Sequence, residues 1–416
     1  MKPFKHKLSL GSLLTIIVSF IVIFASTIIM PQFLNGIFET NKQHNISTQT
    51  SVPLVPLIPL EETAQNTENE ENIKNVELKF AGIVNFNKAI QQSSFTNDVY
   101  QSTYIFDYLK NELDSSYVYA SIINTMLRTE AYTDINAPHE IVSSLKENGV
   151  NALGVGGRNI LNHGINGLSS ILDAGEKYGL PIIGINTQQS EMPIYIQEIN
   201  GVSVAILQFS QSVSRAGNYA IQEEDTGRYI RVLTQERIRE DIQKAKNLGA
   251  KIILVHMLWN SEDDMRVSDY QKRAVHMIAD AGADLIVGAS TSAPQKMEIL
   301  TSFDEKGNKR NVPVVYSLGA LLNNDRSSIE KVTSILLFCN LRFDTKNNVL
   351  KSIDLDYTPL YIWNKKEDAK EHFIPIHAYS EGITQMEEAQ YQNMKKSLDY
   401  CNQTFGEMPI TRIEIN

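Results

Sequence analysis

The residues able to do chemistry in this 416-residue chain are scattered, and few stand in a pattern that chemistry requires. His256 closes the apolar run Lys251-Ile-Ile-Leu-Val-His256. A histidine at the end of such a run is either a buried, hydrogen-bonded strand-end residue or a metal ligand, and the sequence leaves both open. The stretch Gly154-Val-Gly-Gly-Arg-Asn159 follows a strand-like run, but Asn159 stands where a dinucleotide loop needs glycine, so it reads as a tight turn entering a helix. No Walker loop, no Gly-x-Ser-x-Gly elbow and no cysteine with a plausible histidine partner occurs. His139 follows Pro138 and would cap a helix or face solvent, while His276 falls on a helix flank. Trp259 and Trp363 read as packing or rim aromatics. Cys339 lies in the apolar run Ser334-Ile-Leu-Leu-Phe-Cys339 and reads as buried strand, so pairing with Cys401 is not favoured and a zinc site built on the two cysteines is excluded.

Around these residues, short apolar runs alternate with helical patterns. Strand-like runs cover Val76 to Val84, Tyr117 to Ile122, Ala152 to Val155, Pro181 to Ile185, Val202 to Phe209, Lys251 to His256, Leu285 to Val287, Val312 to Ser317 and Ser334 to Arg342. Helical spacing covers Pro138 to Asn148, Gly164 to Tyr178, Thr234 to Leu248 and Asp269 to Ala281. Alternation of this kind predicts an α/β domain. Glu381 to Asn402 has looser helical spacing, with Met386, Ala389, Met394 and Leu398 as a packing stripe.

Two segments carry a family resemblance: Gln271-Lys-Arg-Ala-Val-His-Met-Ile-Ala-Asp-Ala-Gly-Ala-Asp-Leu-Ile-Val-Gly288 and Val315-Tyr-Ser-Leu-Gly319. From about Phe80 to Phe343 the chain resembles the CapA-type capsule (poly-γ-glutamate) synthesis proteins, a branch of the calcineurin-like metallophosphoesterase superfamily. The resemblance implies a layered metallophosphoesterase-like sandwich, two packed sheets flanked by helices. It also implies where a metal site would stand. The Asp of the family's Gly-Asp falls on Ile83, and its Asn-x-Glu on Ser121 and Ile123. Its Asn-Asn-His with a following Asp falls on Gly157, Arg158, Asn159 and Asn162, beside His163 at an aromatic position. Its His-Trp-Gly-x-Glu is matched to His256 through Asn260, and its Gly-His-His-Pro-His to Gly288, Ala289, Ser290, Thr291 and Ser292.

Only His256 keeps a ligand type in that alignment. A two-metal site needs imidazoles and a shared anionic ligand between cations about 3.5 to 4 Å apart. No metal and no cofactor are therefore expected, with Mn, Fe or Zn entering only if the chain is an active hydrolase through other ligands. In place of the metal, Arg158 with the hydroxyls of Ser290, Thr291 and Ser292 would form a small anion pocket near a helix amino end. The alternative is that Arg158 pairs with a nearby acid.

The amino end carries Lys2, Lys5 and Lys7 with no acid, then no charge from Leu8 to Phe38. A run of that length can cross a bilayer, and the lysines set the amino end inside. A cleavable signal peptide competes, but Ala25-Ser-Thr is a poor small-residue cleavage site. The reading is residues 1–38 as cytoplasmic tip and transmembrane anchor and 39–75, Pro- and Glu-rich, as flexible linker. Residues 76–360 form the CapA-like domain, and 361–416 an extension packed on or near it. Removing the three lysines from the net charge of −10 leaves −13 outside, which excludes nucleic acid as a partner. The resemblance then implies a single-pass cell-membrane protein with an extracellular domain, whose partners are the membrane, polymer-synthase subunits and an anionic polymer. It would assist synthesis, export or attachment of that polymer. An active phosphoesterase-type hydrolase and an extracellular structural or adhesion protein are the alternatives, and catalysis of its own is left open.

Overall fold

The computed structural model describes residues 72–416 apart from 130, 189–190, 215–220, 222, 261–264, 290, 305, 368, 407–409 and 416, with the backbone alone for 223, 224, 410 and 411. The expected anchor, almost all of the expected linker and the candidate Ser290 lie outside the described residues. Among the described residues no helix is long and apolar enough to cross a membrane.

Strand alternation builds two mixed sheets. The first contains β1 (Ile73–Val84), β2 (Tyr117–Ile122), β3 (Val150–Val155) and β4 (Ile182–Ile183). The second contains β5 (Tyr195–Ile199), β6 (Val202–Ser210), β7 (Ile252–Leu258), β8 (Leu285–Ala289), β9 (Pro294–Phe303) and β10 (Lys309–Leu318). The chain then returns to the first sheet with β11 (Ala320–Leu322), β12 (Thr333–Asp344), β13 (Val349–Glu367), β14 (Lys370–His377) and β15 (Ile410–Glu414). The orders are β14-β13-β12-β1-β2-β3-β4, with β11 on β1 and β15 on β13, and β9-β10-β8-β7-β6-β5. Strands β1 to β4 run parallel, as do β6 to β8 with β10, and β11 is parallel to β1; β5, β9 and β12 to β15 pair antiparallel with their neighbours.

Period-two alternation decides which face each residue covers. In β7, Ile253, Val255, Met257 and Trp259 just beyond it pack outward under the helices α3 (Gln235–Asn247) and α4 (Asp269–Ala281), while Ile252 and Leu254 face the other sheet. In β1 and β12, Leu78, Phe80, Leu337 and Cys339 meet them from the opposite side. The outer face of the first sheet is covered by α1 (Glu140–Glu147) and α2 (Gly164–Tyr178) through Ile141, Leu145, Leu168 and Ile171. The result is the expected α/β arrangement of two mixed sheets flanked by helices.

The resemblance-bearing segments are framework. Ser268 and Gln271 cap α4 reciprocally, and Gln271 Nε2 donates to Gln295 Oε1 at 2.7 Å. Gly282 ends α4 at φ 109°, a left-handed position that favours glycine. Asp284 accepts from Ile253 N at 2.8 Å and from Arg310 at 2.7 Å, tying β7 to β10. The last helix, α5 (Glu388–Phe405), starts later than its spacing predicts, and Met386, Met394 and Leu398 of the expected stripe pack into the core. Met394, Ser397, Cys401 and Phe405 are buried, whereas Ala389 is exposed. Residues 361–416 supply Trp363, Ile374, Ile376 and Met394 to the same core as β1 and β2. Both cysteines are free and buried.

Candidate functional site

The carboxyl ends of parallel strands are where α/β sheets leave room for ligands. Here β1, β2, β7 and β8 end beside one another at the junction of the two sheets, and their last inward residues form a small closed cluster. Ile83, Leu258, Ala289 and Ala320 are buried together, with Ile123 packed against them. Above the cluster opens a cleft of about 250 Å³. Ile83, Ile123, Ile135 and Ala320 give it an apolar floor, and Asn85, Asn159 and Ser292 line it with polar groups. Asp134, Asn323, Asn324, Asp325 and Lys331 complete the rim.

The rim is partly spent on itself. Asn323 accepts from Asp325 N at 2.8 Å and donates to Lys331 O at 3.0 Å. Lys331 Nζ sits 2.9 Å from Asp325 Oδ2, and this lysine together with Ser327 holds the Asp325 carboxyl below its ordinary range against the opposing effect of burial. Asp134 accepts from Lys88 N at 3.0 Å, and Asn324 accepts from Asn87 Nδ2 at 2.5 Å. The half-buried side chains of Asn85, Asn159 and Ser292 have no hydrogen bond among the described residues.

His256 is not in this cleft. It lies a layer deeper, with no exposed surface, stacked on Phe80 at 6.1 Å between ring centres and tilted against Tyr119 at 4.9 Å. Its Nδ1 is 2.8 Å from Gln208 Oε1, which also accepts the Tyr119 hydroxyl. Nδ1 therefore carries the proton and Nε2 is a bare acceptor, buried without a partner among the described residues. Burial pushes its pKa down to about 3, so the imidazole is neutral. Ser121, on β2 of the other sheet, is buried with its hydroxyl equally unpartnered among the described residues. The position level with Ile83 and Ala289 is held by Leu258. Read in that frame, the family's His-Trp-Gly-x-Glu falls two residues later, on Leu258-Trp259-Asn260-Ser261-Glu262, and keeps its Trp and Glu.

Among the described residues the expected anion pocket does not assemble. Thr291 is buried, and its hydroxyl is committed to Ala293 O at 2.7 Å and to Ser317 Oγ. Arg158 is exposed and absent from the cleft wall, and α2 starts six residues after it, beyond a run of turns. The position before α2 is His163, which makes no capping bond. Of the remaining candidates, Gly157 bends at φ 90° with its N–H on Ser210 Oγ, and Asn260 donates to Ser212 O at 2.8 Å. Asn162 buries an unpartnered carbonyl oxygen. His139 is buried rather than capping or solvated, bonded to Met126 O and Ser170, and burial lowers its pKa. His163 contacts Thr125 at 2.7 Å, and His276 is exposed. Sequence reasoning missed Asn85, Asn323 and Asn324. They stand two residues after Ile83 and four and five after Gly319, so their offset from the recognised motifs was the available signal.

The four positions that face one another, Ile83, Ile123, Leu258 and Ala289, have no donor atoms, so they do not fit a transition-metal pair. Among the described residues no group of three or more His, Cys, Asp or Glu gathers.

Residues 77–325 match the family described as bacterial capsule synthesis protein PGA_cap. The chain belongs to that family. It is 26% identical over 310 residues to the capsule biosynthesis protein CapA of Bacillus anthracis, covering 65% of this chain and 72% of the relative. It is 25% identical over 238 residues to the PGA biosynthesis protein CapA of Bacillus subtilis (strain 168), covering 52% of this chain and 61% of that relative. Among solved structures it is similar to a phosphatase of Mycoplasma pneumoniae, with a TM-score of 0.40, 13% identity and coverage of 69% and 94%. It is also similar to the NAD nucleotidase of Haemophilus influenzae, with a TM-score of 0.41, 10% identity and coverage of 80% and 57%. Neither likeness assigns a role to a residue here.

Proposed function

We propose that this chain is a membrane-anchored, extracellular capsule-family protein that assists synthesis, export or attachment of an anionic polymer of the poly-γ-glutamate type, without metal-dependent catalysis of its own. The observation that carries the second half is the closed apolar cluster of Ile83, Leu258, Ala289 and Ala320, backed by Ile123. A metal hydroxide nucleophile requires anionic or imidazole ligands at those points, and four hydrocarbon side chains offer none. The first half is supported by family membership, by the names of the two Bacillus relatives, and by the basic amino end followed by an uncharged run to Phe38.

The test pairs chemistry with phenotype. The full-length protein, loaded with Mn, Fe or Zn and then freed of excess, is expected to retain no stoichiometric metal and to hydrolyse neither phosphomonoesters nor phosphodiesters. A strain lacking the gene is expected to lose cell-associated polymer, and wild-type protein to restore it. About one or two metal ions per chain with chelator-sensitive turnover would overturn the non-catalytic half. Unchanged polymer in the deletion strain would overturn the capsule half.

A further inference from the structure

We infer that the cleft above the apolar cluster is a binding site for an uncharged secondary amide flanked by methylenes, and that it holds one repeat of an amide-linked polymer without cleaving it. This rests on the proposed role in assisting such a polymer. Three observations lead there. The floor is hydrocarbon, from Ile83, Ile123 and Ala320, and a methylene segment is what such a floor desolvates favourably. The walls present the side chains of Asn85, Asn159 and Ser292, none hydrogen-bonded within the described residues. A carboxamide both donates and accepts, so paired asparagines complement the N–H and C=O of an amide.

The charge around the cleft argues against an anion as the group held. Among the described residues that line it, the one cation, Lys331, is engaged by Asp325, and Asp134 adds a second carboxylate to the rim. A carboxylate of the ligand is better left in solvent than placed between these acids. At about 250 Å³ the space is below the roughly 300 Å³ at which sites for drug-sized ligands begin, which fits a single repeat rather than a long stretch. An apolar surface with a few convergent polar groups is the general form of a binding pocket, and among the described residues no metal-ligating group of three gathers in it.

The experiment is calorimetric titration of the detergent-solubilised full-length chain with a γ-linked glutamate tetramer, its methyl ester and an acrylate oligomer of equal charge. The tetramer and its ester are expected to bind within about threefold of one another, the acrylate not at all. Affinity is expected to change little when salt is raised tenfold, because hydrogen bonds to a neutral amide are not screened. Asn85→Ala and Asn159→Ala should each weaken both ligands about three- to tenfold with an unchanged melting temperature. Should an alanine variant fail to fold, Asn85→Asp keeps the shape, and it should weaken the tetramer more than the ester. Acrylate binding with steep salt dependence, binding of N-acetylglucosamine oligomers in place of the tetramer, equal affinity in wild type and variants, or no binding at all would each overturn the inference. Loss of polymer in the deletion strain with no amide binding would sink this inference alone. Amide binding with normal capsule would sink the proposed role instead.

Discussion

A proton on His256 would sit between Phe80 and Tyr119 with no acid among the described residues to balance it, and burial drives its pKa to about 3. The linkage follows from that direction. Between about 6.5, the unfolded value, and about 3, the unfolded chain binds a proton that the folded chain refuses. This contribution to stability is full above 6.5 and is lost as pH falls, at about 1.4 kcal/mol per pH unit within the window. His256→Gln removes the titrating group and should be the less stable protein at pH 7. Its denaturation midpoint should nevertheless decline less steeply than wild type between pH 6.5 and 4.5, with a difference of about one proton in the slope. Parallel curves for the two proteins would show that His256 is protonated in the fold. The same residue shows why site reading by residue type goes astray here. Positions 256 and 258 share one strand face, and a lone surviving histidine attracts the motif two places early. Only the neighbours, Ala289 on the adjacent strand and Ile83 on the other sheet, identify Leu258 as the residue at the site.

Elements with one strong signal were legible, and elements with a mixed one were not. The central parallel strands are buried on both faces, so β2, β7 and β8 read as continuous apolar runs, and α2 and α4 match their predicted bounds. The outer antiparallel strands β5, β9, β13 and β14 carry Gln, Glu, Lys and Asp on a partly exposed face, and none was anticipated at its observed length. What the motif glycines do was likewise invisible without the packing. A Cβ on Gly288 would lie 2.1 Å from Tyr316 O and 2.2 Å from Trp259 Nε1, whose own bond to Tyr316 O is 2.7 Å. Gly288→Ala must therefore separate β8 from β10 or displace the indole. A loss of about 3 kcal/mol is expected in chemical denaturation, against about 0.5 kcal/mol or less for alanine at the open Gly227. Equal stability for the two variants would mean that β8 and β10 do not pack this closely.

At the scale of the whole molecule, the question is which side of a membrane the folded domain occupies. Three lysines precede an uncharged run to Phe38, and the remainder of the chain carries −10 − 3 = −13. Positive charge before an apolar segment retains that end in the cytoplasm, and a strongly acidic domain beyond it meets no electrostatic resistance to export. Among the described residues β1 is the first strand, and the core clusters draw their members from residues 76–415. Removing residues 1–38 is thus expected to leave a soluble protein that unfolds cooperatively at the full-length temperature within about 2 °C, because the described core is built from residue 76 onward. In intact cells, added protease should degrade the domain while a cytoplasmic marker survives, and the full-length form should fractionate with membranes at its unprocessed mass. Protection of the domain in intact cells would reverse the orientation. Recovery of a shortened, freely released form as the normal product would replace the anchor with a cleaved leader, and the cleft would then meet its polymer away from the membrane.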